Sequence, residues 1–285
     1  MISKSLENLL ADAVAIEQES AKDAGMVGYM ARAMVQATLP HSCPKTNEFT
    51  RKNGNYSLTI WSPKEIGLPY GSIPRLLLAW LTTEAVRTQD RTLVLGDTLS
   101  SFLKELDLGR TGGVRGDITR LRNQMRKLFS ATIACDYHDK QRDAGYGFRI
   151  ARRYETWWTP QTPDQAGLWQ STVTLDEDFF EEIISSPVPI DLRVLKGLRK
   201  SPLALDLYSW LTYRNSYLNK PTLIPWESLQ MQFGSDYAAT RQGKYQFKSS
   251  LAEAFKKVST VYTGVKLDMQ DKGLLIIPSL THIPR

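Results

Sequence analysis

Cysteine is scarce in this 285-residue sequence: only Cys43 and Cys135 occur, and neither belongs to a CxxC pair. The spacing therefore argues against a disulfide scaffold and against a zinc site. No run of 18 apolar residues is present, and the first residues lack the apolar stretch and cleavage site of a signal peptide. We expect a cytoplasmic protein with reduced thiols and no membrane partner.

Catalytic and cofactor patterns are missing as well. The three histidines, His41, His138 and His282, are scattered, so the metal-binding histidine pair of a rolling-circle nickase is absent. Residues 109–116 (GRTGGVRG) lack both the Gly-Lys-Ser/Thr ending of an ATP-binding loop and the Rossmann spacing. The acidic run 176–182 (DEDFFEE) is typical of a helix N-terminus rather than of a metal site. The sequence thus predicts a protein that is not an enzyme and that holds no metal and no cofactor.

The overall composition is that of a globular protein with a basic charge balance. Hydrophobic residues make up 42% and charged residues 23% of the chain, and the length corresponds to about two domains. Lysine and arginine number 36 against 30 acidic residues, which gives a net charge of +6. This excess is a moderate indication of a nucleic-acid partner, since many enzymes are equally basic.

An internal repeat relates residues 77–129 to residues 207–259. When residue n is set beside residue n + 130 without gaps, ten of the 53 pairs are identical, against roughly three expected from composition. The identical pairs are Leu77/Leu207, Trp80/Trp210, Leu81/Leu211, Thr82/Thr212, Thr92/Thr222, Leu93/Leu223, Leu99/Leu229, Gly113/Gly243, Leu121/Leu251 and Lys127/Lys257. A repeat of this kind predicts two domains of one fold. Two unrelated α+β domains with a chance similarity are the alternative.

Both copies show the pattern helix, short strand, helix, glycine-containing turn, helix and two-stranded ribbon. The first copy has predicted helices over 73–87, 98–106 and 117–130, a strand over 92–95, and ribbon strands over 131–137 and 146–158. The second has predicted helices over 202–217, 225–233 and 244–259, a strand over 222–224, and ribbon strands over 261–267 and 273–278. A helix-turn-helix followed by a β-hairpin is the winged-helix arrangement.

The predicted fold class is therefore α+β, with two tandem winged-helix domains behind an N-terminal helical and hairpin extension. Pro187 and Pro189 mark the joint between the two domains. The predicted divisions are 1–55 for the extension and the start of its hairpin, 56–187 for the first domain and 188–285 for the second.

The third helix of each copy carries the candidate DNA-binding residues. In a helix-turn-helix unit this helix lies in the major groove, and Arg and Asn make bidentate contacts to guanine and adenine. In the first copy, Ile118, Leu121, Met125 and Leu128 form the apolar stripe that faces the core. The opposite face and the preceding turn carry Arg110, Arg115, Thr119, Arg120, Arg122, Asn123, Arg126 and Lys127. A basic face that merely contacts solvent is the alternative.

The second copy repeats this pattern, and the first ribbon adds further cations. The predicted DNA-binding residues of the second third helix are Arg241, Lys244, Tyr245, Lys248, Ser249 and Lys256. The first ribbon carries Lys140, Arg142, Arg149, Arg152 and Arg153, of which Arg142 and Arg149 are our candidates for contacts to phosphates. The second ribbon offers less, because Asp268 and Asp271 offset its lysines.

The N-terminal extension has a helix with an apolar face formed by Leu6, Leu9, Leu10, Ala13 and Ile16. An exposed stripe of this kind usually finds a partner. The partner is either the first domain of the same chain or a second copy of the protein, in which case a homodimer forms.

Three blocks carry a resemblance to a known family. They are LPYGSIPRLLLAWLTTEAVRT (68–88), LVLGDTLSSFLKELDL (93–108) and GGVRGDITRLRNQMRKLFSATI (112–133). In this order they resemble the plasmid-encoded RepA family of replication initiators, and the similarity extends from about residue 56 to the C-terminus. The resemblance implies binding to repeated sequences (iterons) at a plasmid origin and recruitment of the host helicase and primase. It also implies two winged-helix domains that bind iterons as a monomer and repress their own promoter as a dimer.

The sequence therefore predicts a plasmid replication initiator that binds repeated double-stranded DNA and nucleates replisome assembly. A winged-helix transcriptional repressor, including one that represses its own promoter, is the alternative, because the physics of DNA binding is the same for both.

Overall fold

The computed structural model describes residues 4–159, 161–167, 170–234 and 237–284. Its helices are α1 (Lys4–Gln18), α2 (Arg32–Gln36), α3 (Ser72–Thr88), α4 (Leu99–Glu105), α5 (Asp117–Ser130), α6 (Glu177–Ser185), α7 (Leu192–Leu198), α8 (Pro202–Asn215), α9 (Trp226–Phe233) and α10 (Arg241–Val261). Its strands are β1 (Val27–Met30), β2 (Glu48–Asn53), β3 (Tyr56–Trp61), β4 (Thr92–Val94), β5 (Thr132–His138), β6 (Asp143–Arg149), β7 (Ala151–Glu155), β8 (Thr172–Leu175), β9 (Val188–Asp191), β10 (Thr222–Pro225), β11 (Lys266–Gln270) and β12 (Gly273–Ile277). The fold is α+β, as the sequence predicts.

The first unit consists of α3, β4, α4, α5, β7 and β8. Its three strands form an antiparallel sheet in the order β4-β8-β7. The helix α3 is capped at its C-terminal end by Gln89, which adopts the left-handed conformation with φ 57°. The helix α4 begins at a capping box, in which the Thr98 hydroxyl accepts from the Ser101 amide and the Ser101 hydroxyl accepts from the Thr98 amide. The end of α3 and the start of α4 therefore lie within one residue of the positions that the sequence predicts.

The second unit consists of α8, β10, α9, α10, β11 and β12, and it repeats the order of the first. Its sheet has the order β10-β12-β11, so the strand between the first two helices again pairs with the last strand. The hydroxyl of Ser201 caps α8, with Pro202 in the first turn, and the hydroxyl of Thr240 caps α10. The cap at Thr240 starts α10 three residues before the predicted helix.

Equivalent positions of the two units lie in equivalent cores. Leu99 and Leu229 are fully buried, as are Leu121 and Leu251. Each unit also has a T-shaped aromatic pair between its first and second helices. The pairs are Trp80 with Phe102, at 5.0 Å between ring centres, and Trp210 with Phe233, at 5.2 Å.

The predicted first ribbon is divided between two sheets. The segment predicted as one strand over 146–158 breaks at Ile150, which is fully buried, and gives β6 before it and β7 after it. β5 and β6 pair with each other, but β5 also pairs with the N-terminal hairpin, giving a sheet of order β2-β3-β5-β6. The ribbon that corresponds to β11 and β12 is therefore the pair β7 and β8, and the sequence expectation was wrong on this point.

The N-terminal segment is integrated with the rest of the chain. β1 pairs with β9 from Val27↔Asp191 to Met30↔Val188. The predicted boundary between residues 55 and 56 falls in the turn of the hairpin that joins β2 and β3. The division into 1–55, 56–187 and 188–285 stays a prediction.

The apolar face of α1 has its partner within the chain. Leu9, Ala13 and Ile16 are buried, and α1 packs against α7 and α10. Both α7 and α10 lie within residues 188–285, the predicted second domain. The expectation that the first domain covers this face was therefore wrong. Leu10 and Val14 remain exposed. The homodimer stays a prediction.

Candidate nucleic-acid interface

The helix α5 separates an apolar face from a basic one. Ile118, Leu121, Met125, Leu128 and Phe129 are buried. The opposite face presents four exposed side chains, those of Arg120, Arg122, Asn123 and Arg126, while Thr119 and Lys127 are half-buried. The structure thus brings six of the sequence-predicted residues onto one helix surface.

Some of these side chains already have partners within the protein. The Thr119 hydroxyl donates to the carbonyl oxygen of Gly113 at 2.8 Å, and Arg120 pairs with Asp117 at 3.1 Å. Arg110, in the turn before α5, pairs with Asp164 at 2.9 Å. In the part of the chain that the structure describes, no hydrogen bond or ion pair involves the side chains of Arg115, Arg122, Asn123 or Arg126. The three guanidinium groups and the Asn123 amide are exposed, so a ligand can reach them.

Lys127 lies over an aromatic ring at the edge of this surface. Its Nζ is 4.7 Å from the centre of the Tyr70 ring, which is a cation–π arrangement. Partial burial and the neighbouring Cys43 thiol raise the pKa of Tyr70. The phenol therefore stays neutral at physiological pH and supports the lysine without forming an ion pair with it.

The helix α10 presents a similar surface in the second unit. Arg241, Lys244, Tyr245, Ser249 and Lys256 are exposed, and Tyr245 retains 69% of its accessible surface. Lys244 pairs with Glu227 at 3.1 Å. Lys248 is half-buried, with its Nζ 4.8 Å from the centre of the Trp226 ring. All six predicted residues of this copy share one helix.

The two basic helices differ at their N-termini. In the repeat alignment the first residue of α5, Asp117, corresponds to Phe247, so α10 has six additional residues at its start. The equivalent residues 111–116 form a turn in which Gly113 has φ +83°, a conformation that favours glycine. Arg241, Lys244 and Tyr245 lie on the additional residues of α10. In the repeat alignment, the candidate side chains of α10 therefore begin one to two helical turns before the start of α5.

A lysine-lined cavity of about 330 Å³ lies between α9, the start of α10 and the turn that joins β11 to β12. The indole nitrogen of Trp226 donates to the carbonyl oxygens of Gln270 and Asp271, at 3.1 and 3.0 Å, and so holds this turn in place. Lys244, Lys248 and Lys272 line the cavity, and so does Glu227, the partner of Lys244. Sequence reasoning missed Lys272, because Asp271 beside it made the ribbon look neutral.

Of the two ribbon residues, Arg149 lies at the end of β6 and Arg142 lies in the turn between β5 and β6. Arg142 lies at the tip, where His138 also pairs with Asp143 and Asp139 contacts the turn. Arg149 approaches the end of α5, with its Nη2 at 3.5 Å from the carbonyl oxygen of Phe129. The hairpin β7–β8, which is equivalent to β11–β12, carries Arg152 and Arg153, and both side chains are exposed. A role of Arg142 or Arg149 in DNA contact stays a prediction.

The described residues contain no group of three or more His, Cys, Asp or Glu side chains that could hold a metal ion. Over the same residues, no helix is long and apolar enough to span a membrane.

The fold defines an α+β protein in which one unit of three helices and a three-stranded sheet occurs twice, each time with a basic third helix. The family described as plasmid-encoded RepA protein matches residues 68–227, and the chain belongs to this family. The resemblance seen in the sequence is thereby confirmed over residues 68–227, a shorter stretch than the one expected from about residue 56 to the C-terminus.

One solved structure supports the fold. It is the crystal structure of selenomethionine derivatives of domain 2 and domain 3 of RctB, to which this chain is similar with a TM-score of 0.53. The sequences are 13% identical, and the similarity covers 86% of this chain and 95% of that one. The comparison with curated proteins finds no significant match.

Proposed function

We propose that this protein initiates plasmid replication by binding repeated double-stranded DNA at the origin, and that it then nucleates assembly of the host replication proteins. The observation that carries the proposal is the recurrence, in both units, of a third helix with a buried apolar stripe and an exposed basic face. The exposed cations are arginines on α5, and they are Arg241, Lys244 and Lys256 on α10. Membership of the RepA family supports the role in replication.

The two units are winged-helix domains in this proposal. The order helix, strand, helix, helix, hairpin supports this interpretation, and so does the matching strand order β4-β8-β7 and β10-β12-β11. In such units the third helix enters the major groove and its exposed side chains reach base edges. The hairpins β7–β8 and β11–β12 then lie beside the groove, where Arg152 and Lys272 are suited to phosphates.

The charge distribution within each unit assigns different roles to its residues. Arg122, Asn123 and Arg126 have no side-chain partner among the described residues, so they can contact bases without breaking an ion pair. Lys244, Lys248 and Lys272 line one cavity together with Glu227, which pairs with Lys244, so the net positive charge that remains there favours an anion such as a DNA phosphate. The protein supplies binding and positioning in this scheme, and the catalytic steps belong to the host replication enzymes.

An origin-dependent replication assay tests the proposal. The full-length protein and host replication proteins are added to a plasmid that carries the DNA flanking its gene. Synthesis is expected to require both the protein and this DNA, and to be lost in Arg122→Ala/Arg126→Ala but retained in Lys104→Ala, an exposed control on α4. Specific binding without any support of replication would favour the repressor. Strand cleavage by the purified protein would contradict a non-enzymatic role.

A further inference from the structure

Arg75 of α3 and Asp206 of α8 form a buried ion pair between the two units. The Arg75 Nε donates to Asp206 Oδ1 at 2.6 Å, and its Nη2 donates to Oδ2 at 2.7 Å. The side chains are only 4% and 7% exposed. His41 adds a third contact, with its Nε2 at 2.7 Å from Oδ2.

The guanidinium of Arg75 uses all five of its N–H groups. Beyond the two bonds to Asp206, it donates to the carbonyl oxygens of Leu39 at 2.7 Å, Pro40 at 3.1 Å and Gly71 at 2.7 Å. Because the guanidinium is planar and its donors point in fixed directions, this set of acceptors permits one orientation. The group therefore fixes α3, α8 and the segment at residues 39–40 relative to one another.

The ion pair lies at nearly equivalent positions of the repeat. Under the shift of 130 residues, Arg75 corresponds to position 205, directly before Asp206, so the pair joins the N-terminal parts of the two first helices. Within each unit the first helix packs against the third, α3 against α5 and α8 against α10. A rotation of α3 relative to α8 would therefore carry α5 away from its position relative to α10.

We propose that Arg75 and Asp206 are positioning residues that set the relative orientation of the two basic helices, and so the spacing of the two DNA segments that the protein binds. The second half of this statement rests on the proposed function. A buried ion pair gains little net stability over apolar side chains of similar size. The ion pair does, however, require one relative orientation of its two side chains, and an apolar contact imposes no such requirement.

The first test measures orientation without DNA. In full-length protein with Cys43→Ser, spin labels are attached at Lys104→Cys on α4 and Ser259→Cys on α10, both exposed positions outside the candidate interface. The variants are Arg75→Met/Asp206→Leu, which removes both charges, and Arg75→Lys, which keeps the charge but loses the planar set of donors. The matched control is Glu84→Gln/Arg87→Gln, which removes a solvent-exposed ion pair from the same helix.

Circular dichroism first establishes a temperature at which each variant is folded. The label-to-label distance distribution is expected to broaden or shift in the Arg75 variants and to remain unchanged in the control. An unchanged distribution in a folded Arg75 variant would overturn the proposal. Because Arg75→Lys retains the charge, it provides the test even where the double variant does not fold.

The second test measures spacing on DNA. A series of DNA duplexes is prepared in which two binding segments are separated by inserts of increasing length, up to one helical turn. The parent is expected to prefer its best spacing over one shifted by half a turn by about tenfold, and Arg75→Met/Asp206→Leu by less than about threefold. Affinity for a single segment stays the same, which a general loss of folding would not allow. If the parent binds no spaced DNA while the label distances still change, the proposed function fails and the positioning role stands.

Discussion

The Nε2 atom of His41 lies 2.7 Å from Oδ2 of Asp206, in a site where both side chains are largely buried. Burial lowers the pKa of His41 below its ordinary value of 6.5, and this effect outweighs the raising effect of the Asp206 carboxylate. Burial alone would raise the pKa of Asp206, but Arg75 and His41 together hold it below its ordinary value. The two shifts affect stability in different pH ranges.

The contribution of His41 to stability is expected to be lost as the pH decreases from about 7 to 5, close to the ordinary histidine pKa. Because the folded-state pKa of His41 is lowered, the unfolded chain takes up a proton first as the pH falls, and unfolding becomes more favourable. Burial lowers the pKa of His282 as well, so this residue acts in the same direction. Asp206 loses its contribution only at more acidic pH, where its carboxylate is protonated.

Urea unfolding at a series of pH values measures this effect. In His41→Gln the free energy of unfolding should depend less on pH over this interval than in the parent. His282→Gln should remove a separate part of the dependence. An unchanged slope in His41→Gln would contradict the assignment of a buried, neutral histidine.

Asn123 is expected to read a base. It is exposed on the basic face of α5 and has no side-chain partner among the described residues. Asn123→Ala should weaken binding to the specific site by about 1–3 kcal/mol and relax the preference at one base pair. Competition binding with a set of singly substituted sites measures both effects. Equal weakening on specific and random DNA would show that Asn123 does not contact a base.

Lys272 is expected to contact a phosphate. Lys272→Ala should weaken binding to all sequences alike and reduce the slope of log affinity against log salt by about one. The control is Lys22→Ala, which removes an exposed lysine of the N-terminal segment. A loss confined to one sequence, or an equal effect of Lys22→Ala, would argue against a phosphate site between α9, α10 and the turn.

The two neighbouring leucines of α1 should differ in their effect on stability. Leu9 is 5% exposed and Leu10 is 44% exposed. Leu9→Ala should cost about 2–4 kcal/mol of unfolding free energy, because it leaves a cavity against α7 and α10. Leu10→Ala should change it by less than about 0.5 kcal/mol. A large, concentration-dependent effect of Leu10→Ala would instead indicate that a second copy covers this face.

The local pattern of the sequence was sufficient to predict the helices of the two repeated units. Apolar residues at helical spacing, such as Leu121 and Leu128, and capping residues such as Thr98 fix helices through contacts within a few residues. The identities between the two copies then indicated a common element order, which the structure confirms for the three helices and the strand between the first two. After α5 the first copy differs, because β5 and β6 precede the equivalent hairpin β7–β8.

Contacts between distant segments could not be predicted in the same way. β5 pairs with β3, so that Ile133 lies opposite Ile60, and nothing in residues 131–158 alone indicates this partner. Arg75 and Asp206 each look like an ordinary polar residue of a helix, and their pairing depends on how two units pack. The cavity lined by Lys272 likewise requires Trp226 to hold the distant turn.

Footprinting of the full-length protein on the DNA that flanks its gene tests the central claim most directly. Two basic helices in one chain should give two protected major-groove segments about one helical turn apart for each bound monomer. Raising the salt concentration should remove both together, since several phosphate contacts release counterions. A single short protected segment, or protection that salt does not affect, would contradict the account of two DNA-binding units.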